Sequence, residues 1–166
     1  AGKLAGHPGL EFVIASVHNL SRAKGGGKDF YFVDYRSEKD CYDVLDQYFQ
    51  CMEDMVKLDF YDCLGHVIYP LRYMNGRDGN QATLDRYEAQ LRRIFAIVAD
   101  KGKAVELNTC RGETVEDWRW VLGLYRECGG TLLTLSTDAH RPQDVGKGLR
   151  EAAGLARELG FPHVAA

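Results

Sequence analysis

Asp138 and His140 stand two positions apart just beyond the apolar run from Thr131 to Leu135, in the stretch Thr134-Leu135-Ser136-Thr137-Asp138-Ala139-His140-Arg141-Pro142. Side chains of an extended segment alternate between faces, so this carboxylate and imidazole point the same way from the carboxyl end of a strand. α/β folds place their chemistry at that end, and a carboxylate beside an imidazole is a plausible half of a metal site. Two further apolar segments end at a histidine: Phe12 to Ser16 runs into Val17-His18, and Tyr61 to Gly65 runs into His66. A lone histidine after a strand reads as a packed or capping residue; three of them, one in a D-x-H pair, point to a polynuclear metal site. His7 and His163, near the termini among Gly and Pro, read as surface residues.

The elements that must position these groups follow from periodicity. Helical spacing is clear four times. Between Asp40 and Leu58, Leu45, Tyr48, Met52 and Met55 share a face; Leu84, Tyr87, Leu91, Ile94 and Val98 share another, closed by Gly102. A third helix is expected to begin near Thr114, with Asp117 placed for a capping box; it carries Trp118, Val121, Leu122 and Tyr125 and ends at Gly129-Gly130. The fourth, Asp144 to Leu159, carries Val145, Leu149, Ala152 and Leu159. Short apolar segments at 12–16, 61–65, 104–108 and 131–136 alternate with these helices, and repeated βα units imply a mainly parallel sheet, doubly wound or closed into a barrel. Phe30 to Asp34 reads as a short extra strand or an extended loop, and Arg77-Asp78-Gly79-Asn80 as a turn or loop.

Four βα units are few for a barrel, which typically takes about 250 residues, and the first strand comes almost at once. The expectation is therefore one domain over residues 1–166, the later part of a larger barrel lacking its N-terminal strands, rather than a four-stranded open sheet. On β-segment 104–108, Glu106 and Asn108 face one way, opposite to Leu107; they read as groups that orient ligands or, equally, as a structural hydrogen-bond pair. Asp62 reads as a loop anchor.

At 166 residues the chain is long enough to bury a core. A net charge of -3 with interspersed signs suggests neither a nucleic-acid nor a membrane surface. Five cysteines without a C-x-x-C pair favour reduced thiols and a cytoplasmic location. Cys63 and Cys110 lie near strand ends but read as small buried hydrophobes. Gly25-Gly26-Gly27-Lys28 lacks the spacing of a P-loop and is followed by Asp29, so it reads as a loop edging the site.

Ala15-Ser16-Val17-His18, Cys63-Leu64-Gly65-His66, Glu106-Leu107-Asn108-Thr109 and Ser136-Thr137-Asp138-Ala139-His140-Arg141-Pro142-Gln143-Asp144-Val145-Gly146 resemble, in order, the PHP (polymerase and histidinol phosphatase) metallophosphoesterases, and among them the histidinol-phosphatases. The resemblance implies a distorted (β/α)7 barrel with a trinuclear metal centre at the strand carboxyl ends. His18, His66, Asp138 and His140 would be metal ligands, with two or three divalent transition metals (Zn, Mn or Fe) in the complete domain. The family's H-x-H motif, a further histidine and a bridging glutamate lie upstream of the matched region; this chain has no H-x-H, and the chain alone is expected to be inactive. After His66 it reads Val67-Ile68, where family members often carry Asp.

Such a resemblance implies phosphomonoester hydrolysis, most directly of L-histidinol phosphate in histidine biosynthesis. Clustered metals lower the pKa of a bound water and clamp the phosphoryl oxygens, so no side-chain nucleophile is required. Guanidinium groups suit phosphate, which makes Arg72, six residues after His66, and Arg111, three after Asn108, substrate-binding candidates; Arg141 is a third, and Tyr73, next to Arg72, reads as pocket lining. Their alternatives are a solvated loop charge for Arg72 and Arg111, pairing with Asp144 for Arg141, and packing for Tyr73. Competing expectations are another phosphorylated small molecule as substrate, or a non-catalytic PHP remnant that binds a partner.

Overall fold

The computed structural model describes residues 7–22 and 27–162, together with the backbone of 163–165. Five parallel strands form one sheet in chain order: β1 (Ile14–Ala15), β2 (Cys63–Leu64), β3 (Ala104–Asn108), β4 (Leu132–Ser136) and β5 (His163–Ala165). The first three joints are short or central in turn: Ile14 pairs with Cys63, Cys63 with Ala104, and Val105 through Asn108 with Leu133 through Ser136. The α/β architecture with a parallel sheet is as expected, and the sheet is unclosed, as expected of an incomplete barrel, each outer strand having one strand neighbour among the described residues. The fifth strand was not foreseen: three residues after Gly160 are too few for a periodicity signal. The side chain of His163 and residues 23–26, which include Gly25 and Gly26 of the glycine run, lie outside the described residues.

Four helices follow the strands: α1 (Glu38–Met55), α2 (Glu88–Asp100), α3 (Trp118–Glu127) and α4 (Leu149–Glu158). Ser37 caps α1, its side chain accepting from the Asp40 N–H, and Glu38 and Asp40 in the first turn complement the positive end of the helix. Leu45, Tyr48, Phe49 and Met52 of α1, Leu91, Ile94, Phe95 and Val98 of α2, and Trp118, Leu122 and Tyr125 of α3 are buried with Leu64, Val105, Leu107 and Leu133 of the sheet. Burial of this apolar surface is the main force holding helices to sheet. The opposite side of the sheet carries Cys63, Glu106, Asn108 and Thr134; Cys63 Sγ lies 3.3 Å from Thr134 Oγ1.

Three boundaries differ from the sequence reading. The third helix starts at Trp118 rather than near Thr114, because the Thr114 hydroxyl donates to the Asn108 carbonyl (3.1 Å) and Asp117 makes no side-chain capping bond. The fourth starts at Leu149, since Gly146 and Gly148 take φ of 84° and 75° and break the run after the turn Pro142–Asp144. Val145 is accordingly exposed rather than part of a core stripe. Phe30–Phe32 is a single 3-10 turn, not a strand. Arg72–Arg77 forms a π-helical turn, a wide turn that recurs near functional sites. Among the described residues, no helix is long and apolar enough to cross a membrane.

Candidate metal centre and phosphate site

His18 follows β1 and His66 follows β2, and the short β1–β2 pairing brings them face to face. Their Nε2 atoms are 2.8 Å apart and their rings stack with centroids 4.8 Å apart. Gly65 permits this approach: a Cβ there would meet Ser16 Oγ at 2.2 Å and Ile14 Cγ2 at 3.0 Å. Backbone bonds hold both histidines. The His18 carbonyl accepts from the Phe30 N–H (3.0 Å), and the His66 carbonyl accepts from the Tyr48 hydroxyl (3.1 Å). The His66 N–H donates to Glu106 Oε2 at 2.8 Å, from a glutamate that is only 5% exposed. Burial pushes the His66 pKa below the ordinary value, against the opposing pull of the Glu106 carboxylate.

Tyr69 packs on both imidazoles, at 5.1 Å from His18 and 4.6 Å from His66, and accepts a hydrogen bond from the Tyr73 hydroxyl (3.0 Å). The Arg72 guanidinium lies over both tyrosine rings, 5.5 and 5.1 Å from their centroids. Its Nη1 donates to Asp138 Oδ2 at 2.7 Å, joining the loops after β2 and β4. Asp138 itself has φ of 50°. His140, in contrast, turns outward: its side chain is 73% exposed, with Nδ1 2.7 Å from the Asp138 carbonyl oxygen and 4.0 Å from Asp138 Oδ1.

After β3, Asn108 Oδ1 accepts from the Cys110 N–H (2.8 Å) and the Asn108 carbonyl accepts from Trp118 Nε1 (2.8 Å). These bonds set a turn in which Cys110 and Arg111 take φ of 44° and 62°. The Arg111 N–H donates to the Thr137 carbonyl (2.9 Å), which places Arg111 beside the Asp138 loop. Its Nε is buried with no hydrogen-bond partner, and its Nη2 lies 3.8 Å from Glu113. Arg141 precedes the turn Pro142–Asp144, while Asp144 pairs with Lys147 (2.7 Å) rather than with Arg141. Asp62 does anchor a neighbouring segment: its Oδ2 accepts from the Val13 N–H at 2.9 Å.

Thus the structure brings His18 to His66 and Arg72 to Asp138, with Tyr69 against both histidines and under Arg72, and Tyr73 packed on Arg72. It does not bring all four predicted ligands to one point: among the described residues, no three His, Cys, Asp or Glu side chains converge as a metal-binding group. The donor chemistry nevertheless suits a divalent cation. Two imidazole nitrogens share one spot, and the buried His66 Nδ1 is free of protein partners. The contact between His140 Nδ1 and a carbonyl leaves the other ring nitrogen for a metal, a common arrangement for ligating histidines. Sequence reasoning missed Tyr69, three residues after His66, because an aromatic beside other apolar residues is indistinguishable from core; it missed Tyr48 for the same reason.

The chain is 25% identical over 159 residues to a probable histidinol-phosphatase from Clostridium acetobutylicum, covering 93% of this chain and 60% of that protein. It is 28% identical over 160 residues to a histidinol-phosphatase from Lactococcus lactis, covering 94% and 58%. The crystal structure of histidinol phosphate phosphatase from Lactococcus lactis, complexed with zinc, L-histidinol and phosphate, superposes with a TM-score of 0.78 at 26% identity, over 99% of this chain and 62% of that one. The chain therefore spans about 60% of the length of these relatives. The PHP domain profile matches residues 4–110, a span that holds β1 to β3 with His18, His66, Arg72 and Glu106, and on that match the chain belongs to the PHP domain family.

Proposed function

We propose that this chain is the later portion of a single PHP domain that hydrolyses phosphomonoesters with the help of divalent transition metals, acting on L-histidinol phosphate to give L-histidinol and phosphate in cytoplasmic histidine biosynthesis. The observation that carries the reading is the meeting of the His18 and His66 Nε2 atoms at the strand ends, beside an Arg72–Asp138 pair. The relatives named histidinol-phosphatase support the substrate.

In this reading His18, His66, Asp138 and His140 hold the cations, of which two or three occupy the complete domain as Zn, Mn or Fe. Bound there, divalent cations supply a neutral-pH nucleophile from water and offset charge on the phosphoryl oxygens. Glu106 fixes His66 through its backbone N–H, and Asn108 fixes the turn that presents Arg111. Arg72 and Arg111 bind the phosphate oxygens with planar guanidinium forks. Tyr73 supports Arg72 as the wall of the pocket.

A second reading, a PHP segment with a structural or partner-binding role, is favoured by one observation: Asp138 is engaged by Arg72 while His140 faces outward. Metal content of the full-length gene product, measured with phosphate release from L-histidinol phosphate on the same sample, separates them. Two or three bound transition metals with turnover are expected; metal with turnover only on other phosphoesters changes the substrate, and no metal at all refutes the enzyme reading. The isolated chain, with two converging imidazoles, is expected to release little or no phosphate.

A further inference from the structure

A second cavity opens on the far side of Arg72. It has a volume of about 520 Å³ and lies between the π-helical turn after β2 and the start of α3. That size is within the range of small-molecule sites. Its apolar wall includes Leu71 and Leu84 and is pre-formed, because both ends of the Asn75 amide bond the backbone of Ala82 (2.8 and 2.9 Å). The facing wall presents Asp117 and Trp120, a tryptophan left 38% exposed. Arg72, Ile68 and Thr114 line both this cavity and the narrow space against His66, so the two are neighbours that share a wall.

The charge inside the cavity is one-sided. Its guanidinium, on Arg72, is already matched by Asp138 at 2.7 Å, and Glu113 lies within 3.8 Å of Arg111. Asp117 has no such partner: among the described residues no ion pair or hydrogen bond ends on its carboxylate. Asp117 is exposed on the cavity wall, and the loss of some solvent around its carboxyl, with the neighbouring Glu116 adding to it, holds that carboxyl above the ordinary range. A cation entering the cavity would relieve that penalty, and the open face of Trp120 suits a planar or cationic group.

We propose that this cavity receives the leaving-group portion of the substrate, an organic ammonium ion, with Asp117 as its counter-ion and Trp120 as the surface on which its planar or apolar body lies. The inference rests on the phosphatase reading, since it sets the phosphate end at Arg72 and the cationic end across the cavity. It assigns specificity to two residues of α3 and its start, remote in sequence from every histidine.

L-Histidinol is the probe, titrated into the full-length protein and into its Asp117→Asn and Trp120→Phe variants, with binding read by ligand-observed NMR and tryptophan emission. Thermal unfolding checks that each variant is folded. Asp117→Asn is expected to weaken binding about tenfold, the size of one charge-assisted contact, and Trp120→Phe to remove the ligand-induced change in emission. In parallel, Asp117→Asn should raise KM for L-histidinol phosphate about tenfold and leave hydrolysis of p-nitrophenyl phosphate, which has no ammonium group, within twofold. Unchanged L-histidinol binding in Asp117→Asn, or no binding by the parent protein, overturns the proposal. Hydrolysis of neither ester by the parent would instead refute the phosphatase reading, and the cavity would then stand or fall on the binding data.

Discussion

Replacing Glu106 tests how the site is held. Its Oε2 accepts from the His66 N–H at 2.8 Å from a carboxylate that is 5% exposed. Glu106→Ala leaves that N–H without an acceptor, and a hydrogen bond to a charged group contributes about 1.5–3 kcal/mol. For a domain of this length, 1 kcal/mol corresponds to roughly 2–4 °C in Tm, so Ala should lower Tm by about 3–12 °C. Glu106→Gln retains an oxygen acceptor and removes a buried charge, so its loss should stay within about 1 kcal/mol. The carboxylate also raises the His66 pKa against the effect of burial; both variants should therefore shift the His66 titration downward, read from its imidazole resonances by NMR. If His66 holds a cation as proposed, zinc affinity should also fall in the Ala variant, because the backbone bond that fixes His66 is lost. If Gln destabilises as much as Ala, the negative charge rather than the hydrogen bond holds the loop. An unaltered Tm in Ala refutes the reasoning outright.

Removal of the guanidinium in Arg72→Ala leaves the Asp138 carboxylate, 29% exposed, without its cation and should cost about 1–3 kcal/mol in denaturant unfolding; Arg72→Lys should recover less than half, because an ammonium cannot reproduce the planar fork over two tyrosine rings. Gly148→Ala combines a φ of 75° with a Cβ that would meet Gly112 Cα at 2.7 Å, so a loss of about 2–4 kcal/mol is expected, and a change below 1 kcal/mol would mean that the loops separate freely. His66 has its folded pKa lowered beneath the ordinary 6.5, so below pH 6.5 the unfolded chain binds the extra proton; stability should fall as pH drops through the window between the two values. His66→Gln should flatten that part of a Tm–pH curve, and an unchanged slope would assign the effect to other groups.

The architecture was legible because burial on one side leaves a strong imprint. Leu91, Ile94 and Val98 recur at helical spacing, and the segment 104–108 is apolar with two polar residues on one face; both became elements with the expected faces. The misread boundaries lie where side chains satisfy backbone groups at a distance. Thr114 has the composition of a helix cap, but its hydroxyl is taken by the carbonyl of Asn108. Asp144 to Gly148 has helical composition too, yet the glycines sit in the left-handed region and shift the start of α4 to Leu149. A strand as short as His163–Ala165 is defined by its β4 neighbour and carries no pattern of its own.

For the site, residue types were legible and distances were not. Strand-end histidines follow from the alternation of apolar segments with loops, so His18 and His66 were found and indeed meet. Asp138 and His140 are two apart, and an extended backbone would aim them alike; a φ of 50° at Asp138 turns the chain and sends His140 outward. That turn has a physical origin in the adjoining loop. Among the described residues, the non-glycine residues with positive φ are Cys110, Arg111 and Asp138, all in the loops after β3 and β4. Each such conformation costs about 1–3 kcal/mol and persists only where surrounding bonds over-determine it. Here those bonds are visible: Thr109 and Arg111 donate to the carbonyls of Ser136 and Thr137, Thr109 Oγ1 donates to the Lys147 carbonyl, and Arg72 secures Asp138 from the other side. Strain confined to two adjoining loops at the carboxyl ends of the sheet, and held by bonds between them, fixes Arg111 and Asp138 as a unit; moving one requires moving the other, which is the rigidity that the proposed roles of Arg111 toward phosphate and of Asp138 toward a cation would need.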